Sequence, residues 1–339
     1  MVANHHSVQD TRVGVHAHHH ELQPVGQGPP YMRVHIMTLK TAIAPNPDPD
    51  LPAEQPPAAL PRRDLSVDAY SPREISEKIE LVGVTKAQLP TLQTLVLGMV
   101  AGGFIGLGAL FSMLVISDTQ LSFAVSRVLG GVVFSLGLML VVVAGAELFT
   151  GNNLLVMAWA DRRITTAQML RNWVLVYAAN AVGAIGLAIT VFLSHHAEMN
   201  GGGIGIAYVK VAAAKTALPF WEAFFKGVLC NLLVCLAVWL TMAGRTVTDK
   251  LLAVVFPISA FVAAGFEHSV ANMYVIPLGI LLRDAVAPAP VDLSTLDWIG
   301  FLHNLAPVTL GNIVGGSVMV ALVYHVIYGK SSHSGRTST

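Results

Sequence analysis

Six long apolar runs dominate this chain and leave it few ways to fold. They cover Leu92–Ile116, Val128–Ala160, Trp173–Leu193, Gly227–Ala243, Leu251–Leu282 and Leu305–Ile327. At about 1.5 Å per helical residue, most match a hydrocarbon layer of about 30 Å. Of the 40 Asp, Glu, Lys and Arg residues, 18 fall in the first 90 positions, so the rest of the chain is too poor in charge to present a water-facing surface. The expectation is an all-α integral membrane protein of six transmembrane helices over 91–330. Basic and acidic residues balance at 20 each, which gives no basic face for nucleic acid. The two cysteines, Cys230 and Cys235, sit inside one apolar run without metal-ligand spacing.

The flanking segments read differently. Residues 1–70 are rich in proline, carry six His in the first twenty positions, and show no period of 2 or 3.6. They read as a disordered tail without the apolar core of a secretory signal. His16 with His18, His19 and His20 is of the type that holds a divalent metal, or is an incidental cluster. At Ser71-Pro-Arg-Glu74 a capping box begins, and Ile75, Ile79, Leu81 and Val82 recur among charges. Residues 71–90 therefore read as an amphipathic helix on the membrane surface, and 331–339 as a short tail.

Lys and Arg near the run ends set the orientation. One side collects Arg73, Lys78, Lys86, Arg162, Arg163, Arg171, Arg245, Lys250, Lys330 and Arg336. The other has Arg127, Lys210, Lys215 and Arg283, with Lys226. Both termini are expected to face the cytoplasm.

The second and fifth runs are too long for one plain helix, and each holds a polar cluster at its middle. Gly145-x-Glu147-x4-Asn152 matches Gly265-x-Glu267-x4-Asn272, and Asn172-x7-Asn180-x2-Gly183 matches Asn304-x7-Asn312-x2-Gly315. Two matches in the same order imply a duplicated three-span unit. Three is odd, so the copies are expected to be inverted, with spans two and five broken, as in aquaporin-like architectures. Glu147, Asn152, Glu267 and Asn272 recur in both halves and are expected to tie the backbone groups freed at the breaks, the alternative being a direct transport role. His268 has the apolar Leu148 as its counterpart, and a symmetry-breaking ionisable residue at membrane depth points to solute contact.

Leu148-Phe-Thr-Gly-Asn152 and Phe266-Glu-His-Ser-Val-Ala-Asn-Met-Tyr274 resemble the formate/nitrite transporter family. Asn172-Trp173 with Asn180, Lys226-Gly-Val-Leu-Cys-Asn231 and Gly311-Asn-Ile-Val-Gly-Gly316 extend the resemblance over about residues 70–330. It implies a homopentamer in the plasma membrane, with a pore for a small monovalent anion in each protomer and neither cofactor nor resident metal. It further implies a slit at Leu148, Phe149 and Thr150, an opposite constriction at Phe134, Leu138 and Phe261, His268 at the centre, Asn231 near it, and Lys215 in an outer vestibule loop. From the residues alone, Phe134, Leu138 and Phe261 read as ordinary helix packing, and only the resemblance promotes them to a constriction. The paired phenylalanines favour formate over nitrite or hydrosulfide. A neutral-solute channel would place Pro after Asn152 and Asn272, and neither has it. A membrane enzyme would need a catalytic cluster beyond Glu267-His268.

Overall fold

The computed structural model describes residues 68–286 and 291–329. The His-rich cluster, most of the expected N-terminal tail, and residues 331–339 lie outside the described residues. Within them the chain is helical, with no strand.

The order is α1 (Pro72–Ala87), α2 (Thr91–Ile116), α3 (Phe123–Phe134), α4 (Leu136–Leu140), α5 (Phe149–Asn152), α6 (Leu155–Ala160) and α7 (Thr166–Leu193). Then follow α8 (Gly203–Thr216), α9 (Phe220–Ala243), α10 (Val247–Ala264), α11 (Ser269–Leu282), α12 (Trp298–Ile313) and α13 (Val323–Tyr328). Wider π turns at Val141–Gly145 and Val314–Leu322 continue α4 and join α12 to α13.

Six segments are long and apolar enough to cross a membrane: Thr91–Ile116, Phe123–Gly145, Thr166–Leu193, Phe220–Ala243, Val247–Ala264 and Trp298–Tyr328. The fourth starts earlier than its apolar run: α9 begins after Pro219 and takes in Glu222 and Lys226, which pair one turn apart at 2.7 Å. The fifth apolar run divides between α10 and the shorter α11.

The described residues expose large apolar side chains and bury a set of asparagines within an apolar core. Phe123, Phe256 and Ile299 are more than three-quarters exposed, whereas Asn172, Asn180, Asn231 and Asn312 are fully buried. An apolar exterior of this kind suits lipid rather than water. Helices close on one another through small residues. A Cβ on Gly102 would overlap the Asn180 carbonyl oxygen, and one on Gly183 that of Met99, so α2 and α7 meet backbone to backbone.

Helix α1 opens on a capping box: the Glu74 amide donates to Ser71 Oγ and the Ser71 amide to Glu74 Oε2. Its buried stripe runs through Ile75, Ile79, Gly83 and Ala87 at four-residue steps, against Leu154, Leu155 and Met157. Leu81, expected on that stripe, is exposed, because two residues from Ile79 turn it about 200° away around the helix.

Candidate functional site

Two places where the chain leaves helical geometry build the polar interior. After the π turn at Val141–Gly145, Gly145 adopts φ 83°, Ala146 and Leu148 are extended, and α5 starts at Phe149. After α10, Gly265 adopts φ 75°, His268 is extended, and α11 starts at Ser269. Only glycine enters that left-handed region without a Cβ penalty, which explains the residue at both corners.

Backbone groups released at membrane depth need partners. Asn180 and Asn312 supply them, rather than Glu147, Glu267, Asn152 and Asn272 as the sequence suggests. Asn180 donates to the Gly98 and Glu147 carbonyls at 2.7 and 2.9 Å and accepts the Phe149 amide at 2.9 Å. Asn312 donates to the Gly227 and Glu267 carbonyls at 2.8 and 3.0 Å and accepts the Ser269 amide at 2.9 Å.

The carboxylates have cationic and amide partners instead. Lys86 Nζ lies 2.8 Å from Glu147 Oε1, and Asn152 Nδ2 donates to Glu147 Oε2 at 2.7 Å. In the second half Lys215 Nζ lies 2.8 Å from Glu267 Oε1, and Asn272 Nδ2 donates to Glu267 Oε2 at 2.7 Å. Asn172 and Asn304 close each network by accepting from Asn152 and Asn272 and donating to the Lys86 and Lys215 carbonyls. One difference breaks the correspondence. Lys86 also donates to Asn152 Oδ1 at 2.9 Å, whereas Asn272 Oδ1 is buried without a partner.

Two sequence expectations change here. Lys215 is not on a loop but in the last turn of α8, a helix that no long apolar run announced. Its side chain is only 18% exposed and is engaged by Glu267. Lys86, counted above only as an orienting charge, is its counterpart. The signal was available as Lys86-Ala-Gln-Leu-Pro90 beside Lys215-Thr-Ala-Leu-Pro219.

His268 forms the third part of the site. Its Nδ1 accepts the backbone amide of Ala271 at 3.0 Å and so caps α11. That amide can only donate, so Nδ1 carries no proton, and in the neutral ring the proton sits on Nε2. Nε2 is 3.0 Å from Thr150 Oγ1 and therefore donates to it. The imidazole stacks on Phe261 with centroids 5.9 Å apart, and Phe134 meets Phe261 edge-on at 5.7 Å.

Asn231 acts at one remove. Its Nδ2 lies 3.2 Å from the Thr150 carbonyl, 2.8 Å from Asn153 Oδ1 and 2.7 Å from the Asn312 carbonyl, so two N–H groups serve three acceptors across the two corners.

Two cavities reach these clusters. The first, of about 340 Å³, is lined by Leu148, Leu138, Lys86, Glu147 and Asn152. The second, of about 280 Å³, is lined by His268, Phe261, Phe134, Lys215 and Glu267. Leu138 thus lines the first cavity with Leu148, whereas Phe134 and Phe261 line the second. Being four residues on from Phe134, it stands one helical turn further along the same strip of chain. Phe149, expected in the slit with Leu148, lines neither cavity; its ring packs against Tyr177 and Trp173 at 4.8 and 6.2 Å. Among the described residues no group of three His, Cys, Asp or Glu side chains is arranged to hold a metal ion.

Residues 73–326 match the family described as formate/nitrite transporter. The chain belongs to that family. It is 41% identical to the formate channel FocA of Escherichia coli K12 over 277 residues, which is 79% of this chain and 97% of FocA. It is 37% identical to a probable formate transporter of Methanothermobacter thermautotrophicus, over 77% of this chain and 97% of that one. Among solved structures, a pentameric formate channel with formate bound aligns with a TM-score of 0.65 at 37% identity, covering 70% of this chain and 97% of that one. An FNT family ion channel aligns with a TM-score of 0.67 at 31% identity, over 75% of this chain and 98% of that one. These formate/nitrite transporter relatives are channels and transporters and not enzymes, in keeping with a site whose polar groups line cavities.

Proposed function

We propose that this formate/nitrite transporter carries formate, or a small monovalent anion like it, through a pore in each protomer of a homopentamer. The observation that carries the reading is His268. It is buried at the second cavity, its one N–H donates to Thr150, and its ring stacks on Phe261. The relatives named for formate support the choice of anion.

The framework in this reading is an inverted duplication. Spans two and five are interrupted at Gly145–Leu148 and Gly265–His268, and the paired hydrogen bonds of Asn180 and Asn312 support that symmetry. The two cavities are the vestibules on opposite faces. The constriction of the second vestibule is formed by Phe134 and Phe261, and that of the first by Leu148 with Leu138. Both termini face the cytoplasm and the protein resides in the plasma membrane, as the Lys and Arg bias suggests.

The chemistry follows from desolvation. An anion entering an apolar constriction gives up water at a cost of many kcal/mol unless a donor replaces it. His268 Nε2–H supplies that donor, exchanging Thr150 Oγ1 for an oxygen of the anion. Proton transfer is a further step. If the Nε2 proton passes to the carboxylate, a second proton must reach Nδ1, and Ala271 then loses its cap. The neutral acid so formed crosses the apolar rings more readily than the anion.

A flux panel in proteoliposomes, with formate, nitrite, hydrosulfide and lactate across pH, tests the reading. Formate is expected to move fastest and lactate slowest. Faster nitrite or hydrosulfide than formate would reassign the substrate within the family, and no small-anion flux would overturn the function.

A further inference from the structure

Three cations line the second cavity: Arg127, Lys215 and Lys226. Two are already neutralised. Lys215 Nζ is 2.8 Å from Glu267 Oε1, and Lys226 Nζ is 2.7 Å from Glu222 Oε1. Arg127 differs. It has no carboxylate within ion-pair distance among the described residues. Its Nε donates to the Ala263 carbonyl at 3.0 Å and its Nη2 to the Val262 carbonyl at 2.9 Å. Both are last-turn carbonyls of α10, where the helix dipole favours a cation.

Those two bonds fix the guanidinium against the Gly265 corner. A Cβ on Gly265 would come within 2.9 Å of Arg127 Nη2. Of the five guanidinium N–H groups, two are used and three have no hydrogen-bond partner among the described residues, on a side chain that lines the cavity. The first cavity has no such group, because its lining charges, Lys86 and Glu147, are paired. The wall of the second cavity therefore carries a net positive charge that the first does not, and Arg127 is its source.

We propose that Arg127, rather than Lys215, draws the anion into the second cavity and gives it its first oxygen contacts. The guanidinium suits a small carboxylate or another planar oxyanion, since its fork matches two oxygens at once. A cation on the wall of a concave, low-dielectric cavity focuses field lines and raises the local anion concentration. The inference rests on the transport reading above and adds the residue of capture. His268 then acts on an anion already delivered.

The test is formate uptake by the full chain in electrically neutral liposomes, with formate well below and well above half-saturation, at low and high ionic strength. Arg127→Gln is expected to lose roughly five- to tenfold of its uptake at low formate and low salt. The loss is expected to shrink toward parity at saturating formate, and at high salt, where screening acts on the wild type too. Arg127→Lys keeps the charge without the fork and is expected to retain most of the low-formate uptake. Unchanged uptake by Arg127→Gln at low formate overturns the proposal. So does an Arg127→Lys loss that equals the Gln loss and is independent of formate and salt, because Arg127 would then only pin the Gly265 corner. Oligomer size checks the fold of both variants; if the Gln variant fails to assemble, the Lys variant decides alone. Should wild-type protein carry nitrite but not formate, the substrate reading fails while the same comparison, run with nitrite, still scores Arg127.

Discussion

Lys215 and Glu267 form an ion pair of 2.8 Å whose counterpart, with the same length, joins Lys86 to Glu147. Both carboxylates are buried, and each lysine comes from a helix that leads into a span through Leu-Pro. Removing one partner strands the other charge, at a cost of about 3–5 kcal/mol for a fully buried pair and less where water reaches the lysine. Lys215→Ala is therefore expected to lower the melting temperature of the oligomer, and Lys215→Met with Glu267→Gln to recover much of it. Thermal unfolding in detergent reads both. A Lys215→Ala protein as stable as wild type would mean that the pair contributes nothing to the fold.

Glu80 links helix α1 to pH. Burial raises its carboxyl to about 7, with Asp161 adding to the rise and Arg163, 3.6 Å away, opposing it. A carboxyl that keeps its proton longer when folded binds more protons folded than unfolded between its ordinary 4.5 and about 7. The packing of α1 on α6 is thus expected to weaken as pH climbs through that window. Amide hydrogen exchange along Pro72–Ala87 at pH 5 and 7.5 measures it, once corrected for the intrinsic rate change. Glu80→Gln should abolish the difference, and an unaltered difference in that variant would rule Glu80 out as its source.

Close helix approach sets a third expectation. Gly183→Ala would drive a methyl into the Met99 carbonyl, whereas a Cβ on Gly103 meets nothing within 4 Å. Overpacking costs about 1–3 kcal/mol, and more against unyielding backbone. Gly183→Ala is expected to give little assembled protein and Gly103→Ala a normal yield by size exclusion. Equal yields would refute backbone contact between α2 and α7.

The sequence disclosed what repeats and what is apolar. Six spans follow from hydropathy because bilayer thickness sets their length. The corners at Gly145 and Gly265 follow from polar residues that no lipid-facing helix tolerates. Less legible was anything whose meaning lies in a partner distant along the chain. Asn180 and Asn312 appeared as repeat markers, yet their work on the freed amides depends on α7 and α12 crossing the corners. Helix α8 is not legible in hydropathy, because Gly203–Thr216 is short and alanine-rich, so the sequence alone reads Lys215 as a loop residue. Arg127 looked like an ordinary flanking cation, since nothing in the chain places it against α10. Phe149 and Leu138 were assigned by resemblance, and side-chain direction put one against Tyr177 and the other beside Leu148.

The role of His268 is the central claim. Asn at this position keeps a donor and an N-cap oxygen but cannot titrate, while Phe removes donor and cap together, the cap being worth about 1 kcal/mol. The most direct measurement is formate flux into proteoliposomes between pH 5 and 8 for wild type, His268→Asn and His268→Phe, with oligomer size checked for each. Proton transfer from His268 to the anion needs a second proton to reach Nδ1, so wild-type flux is expected to vary with pH across that range. The Asn variant is expected to conduct with a flat profile, and the Phe variant to conduct little. A His268→Asn protein that retains the wild-type pH profile would contradict the account and reduce His268 to a helix cap.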